Sequence, residues 1–254
     1  MNSVEDWTTR SAIVTGGGAG IGAATAIQLA ALGTRVTVAS LADGDGGEDV
    51  VDHILANGGQ AQLTVGDLSV EDCVHRMVTQ AESTFGPTDI LVHAAGGVRS
   101  FAGVTALAAD DWDRIVAVNL RSTFLVARSV IPSMAERGWG RVVTIASEAG
   151  RVSTRPLSPA YAAAKAGVIG FTKQVAREVA QKGVTVNTTA PSLTLTPRVV
   201  AGYDDAGDAI ARVHPTGRLA TPDEQAAVVV FLCSAGASYV NGACIDVTGG
   251  AVNI

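Results

Sequence analysis

The chain has 254 residues, 47% of them hydrophobic and 17% charged, and a net charge of −6. That length buries a full core in one large domain or two small ones, and the hydrophobic content excludes intrinsic disorder. The acidic balance argues against a nucleic-acid surface, which needs clustered Lys and Arg, and no apolar stretch reaches the ~18 residues of a membrane span. Cys73, Cys233 and Cys244 are odd in number and scattered, as suits a reducing compartment. Neither they nor the four His have metal-ligand spacing, so no metal is expected. The opening MNSVEDWTTR lacks a basic-then-apolar signal pattern, and a cytoplasmic location is expected.

Short apolar runs alternate with longer helical patterns. Strands are predicted at 11–15, 35–40, 61–65, 90–94, 141–145, 184–189 and 244–247. Helices are predicted at 20–32, 47–57, 70–85, 110–137 (long or broken), 158–181 and from about 221 to 233. The alternation implies right-handed crossovers and an α/β fold. Its single, mainly parallel, seven-stranded sheet is covered by helices on both faces. Nothing marks a domain boundary, so residues 1–254 are expected to form one domain, with a loop-rich excursion at about 193–220.

The turn Thr15-Gly-Gly-Gly-Ala-Gly-Ile-Gly22 follows the first strand and opens the first helix. Its glycines allow a tight turn and close approach of backbone N–H groups to a pyrophosphate at the helix N-terminus. The candidates there are Gly16, Gly18, Gly20, Ile21 and Gly22. Asp67, in Gly-Asp-Leu68 after the third strand, can accept from an adenine amino group, while Ser69 with Asp72 reads as the cap of the next helix. His93-Ala94-Ala95-Gly96-Gly97 ends the fourth strand, where flat backbone can pass a ribose. Tyr161 and Lys165 stand four residues apart on a predicted helix, so phenol and ammonium share a face.

With TGGGAGIG at 15–22, Asp67, AAG at 94–96, Asn119 in VNL, Ser147, Tyr161 with Lys165, and Asn187 before Ala190-Pro191, the chain resembles the short-chain dehydrogenase/reductase family along nearly its whole length. The resemblance implies a Rossmann-type doubly wound sheet, NAD or NADP as cofactor, and a catalytic tetrad of Asn119, Ser147, Tyr161 and Lys165. It also extends the cofactor site to Ser40, Ala94, Ala95, Pro191, Ser192, Leu193, Thr194 and Thr196. Asn119 would hold a water passing protons from Lys165 to solvent. Family members usually form tetramers, so a homotetramer is expected, with a dimer as the fallback.

Residue chemistry supports the tetrad independently. A free phenol titrates near ~10, and a neighbouring ammonium or cationic nicotinamide favours the phenolate. Ser147, at a strand end, can donate to a substrate oxygen. The chain departs from the family pattern in two places: Ser192 stands where Gly is usual and His93 where Asn is usual, the latter expected to replace a structural hydrogen bond. At the end of the second strand, Ser40-Leu41 supplies neither the Asp that selects NAD nor the Arg that selects NADP. Asp43 and Asp45 disfavour extra negative charge, but the choice stays open.

Arg99, Glu148, Arg151 and Tyr203 are candidates to border the substrate, with Arg155 nearby, and read as weak support for a polar or oxygenated molecule. The expected activity is hydride transfer between nicotinamide and a secondary alcohol or ketone. A 3-oxoacyl-thioester reductase is the alternative, to which Arg137 and Lys182 lend weak support. A cofactor sensor without chemistry is a third reading. The helix carrying Tyr161 is rich in Ala and Gly, which suits a subunit contact.

Overall fold

A computed structural model describes residues 6–98, 100–153, 156–202 and 214–252 of the protein. Seven strands form one sheet in the order β3-β2-β1-β4-β5-β6-β7. They are β1 (Ser11–Thr15), β2 (Arg35–Ser40), β3 (Gln60–Val65), β4 (Ile90–His93), β5 (Gly140–Ile145), β6 (Val184–Pro191) and β7 (Cys244–Val247). Every pairing is parallel. The helices are α1 (Gly20–Ala31), α2 (Gly47–Ala56), α3 (Glu71–Phe85), α4 (Ala109–Val116), α5 (Ser122–Arg137), α6 (Pro159–Val179), α7 (Pro197–Gly202) and α8 (Pro222–Cys233).

The two-residue period of each central strand divides the core in two. Ala12 and Val14 of β1 and Ile90 and Val92 of β4 face a cluster built with Leu29 of α1, Ile54 of α2 and Leu232 of α8. Ile13 and Leu91 face the other cluster, with Met77 of α3, Met134 of α5 and Val179 of α6. Both faces are therefore buried, as the Val/Ile-rich strands require. The winding reverses between β1 and β4, so a crevice opens at their carboxyl ends.

The stretch read as one long or broken helix is α4 and α5 joined by a π turn at Ala117–Arg121. It is long and apolar enough to cross a membrane by composition, but its apolar residues Leu125, Val126, Val130 and Met134 are buried in the core. Pro159 opens α6, where its fixed φ suits the first turn and its missing N–H costs nothing. The excursion after β6 is tied down at its ends by a bridge between Thr194 and Ala220. Cys73, Cys233 and Cys244 are all free.

Candidate functional site

At the carboxyl end of β1 the chain turns without side chains. Gly16 has φ +63° and lies so close to β4 that an added Cβ would stand 2.8 Å from the Ala95 nitrogen. A Cβ on Gly22 would strike the Gly16 carbonyl, which packs α1 against the turn. The N-cap of α1 is Ala19, which offers no side-chain hydrogen bond. The first-turn N–H groups of this 12-residue helix are thus left uncapped by any side chain, at the crevice between β1 and β4. An anion fits that place, and a dinucleotide pyrophosphate has the matching charge and size. Gly18 lies against the Asp45 carbonyl of the loop after β2. Ser40, buried at the end of β2, has a hydroxyl without a hydrogen-bond partner, as a ribose-facing hydroxyl would.

The second half of the site lies beyond β4 and β5. Lys165 is buried on α6 and donates to the Ile145 carbonyl at 2.7 Å. Its ammonium lies 5.7 Å from the Tyr161 ring centroid. Burial pulls the Lys165 amine down from the usual 10.5 to about 8. Tyr161 is 9% exposed and packs with Ile115, Ala160 and the partly buried Val98 and Leu157. Ser147 caps the short 3-10 turn Glu148–Gly150; its Oγ accepts from the Ala149 N–H at 3.2 Å, leaving its own O–H to donate.

Asn119 is fully buried in the π turn. Its Oδ1 accepts from the Gly97 N–H at 2.9 Å, and its Nδ2 donates to the Gly97 carbonyl at 3.1 Å and the Ile115 carbonyl at 2.9 Å. Its backbone carbonyl accepts from Thr123 Oγ1 at 2.8 Å. Both amide hydrogens are spent on backbone, so the side chain clamps the loop after β4. Gly96 needs its glycine here: it has φ +128°, and a Cβ would lie 2.5 Å from Asn119 Oδ1.

His93 sits between the two halves. Ser122 Oγ donates to the Val118 carbonyl at 2.8 Å, so the His93 Nε2 that lies 3.1 Å from that oxygen must donate to it. Nδ1 then accepts from Thr15 Oγ1 at 2.9 Å, and Thr15 Oγ1 accepts from the Ala95 N–H at 3.2 Å. The tautomer follows from this exclusion. Desolvation, with the Lys165 charge second, lowers the imidazole from 6.5 to about 3. His93 does make a structural bond, joining the glycine turn to the π turn.

Other expected residues stand differently. Ser69 does not cap α3, whose N-cap is Val70. Asp67 Oδ1 instead accepts from Ser69 N at 2.8 Å and Ser69 Oγ at 2.7 Å, closing a local turn at the end of β3. Leu68 is buried in the core. Ile21, in the first turn of α1, is partly buried against the core. Ser192 causes no strain, because among the described residues no non-glycine has positive φ. Pro191, Leu193 and Thr194 are buried at the end of β6, and the Thr196 methyl lies over Gly20.

Glu148 is buried beside Ser147. Arg151 forms an ion pair with Asp246 of β7 at 2.6 Å. Arg137 and Lys182 precede β5 and β6, at the amino-terminal edge of the sheet, and Arg137 bonds the Thr88 carbonyl and Asp89 there. They sit at the opposite end of the strands from Ser147. Arg99, Tyr203 and Arg155 lie outside the described residues. The sequence reading missed Ile145 and Ser122, whose parts depend on contacts with residues distant in the chain, and gave Gly97 no link to Asn119. Thr15 stood inside the quoted motif, but only tertiary packing reveals its bond to His93.

The depressed His93 value has a stability consequence. The imidazole is neutral in the native state down to about 3, whereas the unfolded chain binds its proton below 6.5. Stability from this site is present above pH 6.5 and is lost as pH falls through that window, at up to about 1.4 kcal/mol per unit. Urea unfolding at several pH values should show a steeper acid loss in the wild type than in His93→Asn; parallel curves would remove the assignment.

Comparison with known proteins agrees with this geometry. Residues 16–252 match the family described as enoyl-(acyl carrier protein) reductase. A D-beta-hydroxybutyrate dehydrogenase of Cupriavidus necator is 37% identical over 257 residues, covering 95% of this chain and 97% of the relative. A 3-oxoacyl-[acyl-carrier-protein] reductase of Salmonella typhimurium is 38% identical over 240 residues, covering 94% and 96%. The crystal structure of an actinorhodin polyketide ketoreductase variant with NADPH superposes with a TM-score of 0.92 at 32% identity, covering 99% of this chain and 100% of that one. A reversed parallel winding, an open glycine turn and a Tyr–Lys helix, matched end to end by dehydrogenases and reductases, make this chain a member of the short-chain dehydrogenase/reductase family of NAD(P)-dependent alcohol and ketone oxidoreductases.

Proposed function

We propose that the chain, acting as one domain over 1–254, interconverts a secondary alcohol and a ketone with Tyr161 as general acid and base. The observation that carries this is the buried Lys165 ammonium, 5.7 Å from the centre of the Tyr161 ring and below a strand end that presents the Ser147 hydroxyl. Lys165, charged below about 8, favours the phenolate and so eases proton removal from an alcohol. Ser147 donates to the same oxygen and stabilises its developing charge. Asn119 holds the loop that walls the pocket. Gly16, Gly18, Gly20, Asp67, Ala94–Gly96 and Pro191–Thr196 would hold a nicotinamide dinucleotide, which when bound would supply or accept the hydride.

For the cofactor we infer NAD. Residues 36–59 hold five carboxylates (Asp43, Asp45, Glu48, Asp49, Asp52) and no Lys or Arg. The Asp45 backbone packs on Gly18 beside Ser40. A 2′-phosphate at that strand end would meet negative charge and no cation. A 3-oxoacyl-thioester reductase is the second reading, favoured by the similarity to the Salmonella relative. A cytoplasmic location accords with three free thiols.

A homotetramer, or failing that a dimer, is supported by the outer face of α6. Ala163, Ala166 and Gly170 are exposed there, and a Cβ on Gly170 would meet nothing within 4 Å. A mid-helix glycine costs about 1 kcal/mol relative to Ala, and the monomer offers no packing reason for it.

Three outcomes are expected. Tyr161→Phe should lower kcat by about 10²–10⁴-fold with cofactor affinity kept; turnover unchanged in stopped-flow NADH assays would sink the mechanism. Titration by NADH fluorescence should give binding at least about tenfold tighter than NADPH, since one uncompensated phosphate charge costs upwards of ~1.4 kcal/mol. Gly170→Trp should yield a smaller, folded particle by light scattering, and an unchanged mass would move the interface elsewhere.

A further inference from the structure

The mouth of the site carries a cation that has no ion-pair or hydrogen-bond partner among the described residues. Arg198, on α7, is exposed, and among the described residues its guanidinium makes no hydrogen bond or ion pair. It is nonetheless placed: it lies against Gly97, so closely that a Cβ on Gly97 would strike its Nη1. Gly97 has φ +142° and is the residue whose N–H and C=O are both held by Asn119. Its neighbour Val98 packs on the Tyr161 cluster. The guanidinium thus reaches from the excursion after β6 to the loop that walls Tyr161. Among the described residues, Arg151 is spent on Asp246 and Arg218 on Glu224. The two segments it joins carry exposed apolar side chains: Phe101 and Val104 after β4 are 65% and 80% exposed, and Val200 on α7 is 62% exposed.

A planar cation between segments with exposed apolar side chains is complementary to a carboxylate on an apolar body. We propose that Arg198 selects the substrate, which is an oxo- or hydroxy-carboxylic acid presented as its free carboxylate, in preference to a neutral ketone or a thioester. The inference rests on the oxidoreductase reading above and narrows its substrate class. Arg198 is a specificity residue; it leaves the proton transfer at Tyr161 untouched.

The test is steady-state reduction by the full-length protein with NADH. The substrates are straight-chain oxo acids, their methyl esters and the matching coenzyme A thioesters. The wild type should prefer acids over esters by about tenfold or more in kcat/KM, and the acid KM should rise with salt. Arg198→Gln should lower kcat/KM for acids by about 10- to 100-fold, through KM, and change esters by no more than roughly threefold. Arg198→Lys should recover part of the loss. Equal loss on acids and esters would make Arg198 a mere latch between two loops. Weakened NADH binding would make it a cofactor ligand, and a wild-type preference for esters or thioesters would refute the carboxylate. Each of these overturns the proposal while the oxidoreductase reading stands. No reduction of any acid, ester or thioester, with Tyr161→Phe indistinguishable from wild type, would overturn both.

Discussion

Asn119 is buried without exposed surface, and its amide bonds three backbone groups drawn from two segments: the Gly97 N–H and C=O, and the Ile115 C=O. The rest of the catalytic end is built on that bracket. A π turn inserts a residue into the helix and disturbs its carbonyl ladder, and the Asn119 side chain supplies a donor there. The same side chain stops the loop after β4 from swinging off the sheet. Ile115 and Val98, at the two ends of the bracket, both pack with Tyr161. Removing the amide would leave polar groups of the loop and helix without partners, at roughly 1–3 kcal/mol for each one that stays buried. Chemistry at Tyr161 thus depends on a residue that need not touch the reacting atoms.

Burial does the electrostatic work around this bracket. Lys165 and His93 are both desolvated, and both resist being charged. They differ in outcome because their starting values differ. The ammonium, displaced to about 8, is still mostly charged at neutral pH, while the imidazole, displaced to about 3, is uncharged. One low-dielectric region therefore holds one cation beside Tyr161 rather than two.

Most of the strand and helix order was legible, because a parallel sheet buried on both faces writes Val/Ile runs and the helices between them write their own period. The glycine turn and the Tyr161–Lys165 spacing were legible for a related reason: both are local, set within a turn or so of chain. The π turn was not, since one inserted residue barely disturbs an apolar period. Ser69 looked like a cap, yet Asp67 captured it two residues away, a competition between near-equal local bonds that sequence cannot rank. The ion pair of Arg151 was not legible either, since its partner Asp246 stands 95 positions away. Arg137 and Lys182 kept their place in the chain but lay at the wrong end of the strands, which depends on topology rather than on their neighbours.

The chain of bonds through His93 starts at an amide N–H and ends at a carbonyl, Ala95 to Thr15 to His93 to Ser122 to Val118. Every hydrogen along it already points the same way. To conduct, such a chain needs a proton source at its head and a base at its tail; a peptide N–H is too weak an acid and a peptide C=O too weak a base. It is an insulator. His93 therefore passes no proton between the two halves of the site, and charge moved at Tyr161 and Lys165 does not drain through this chain into the sheet.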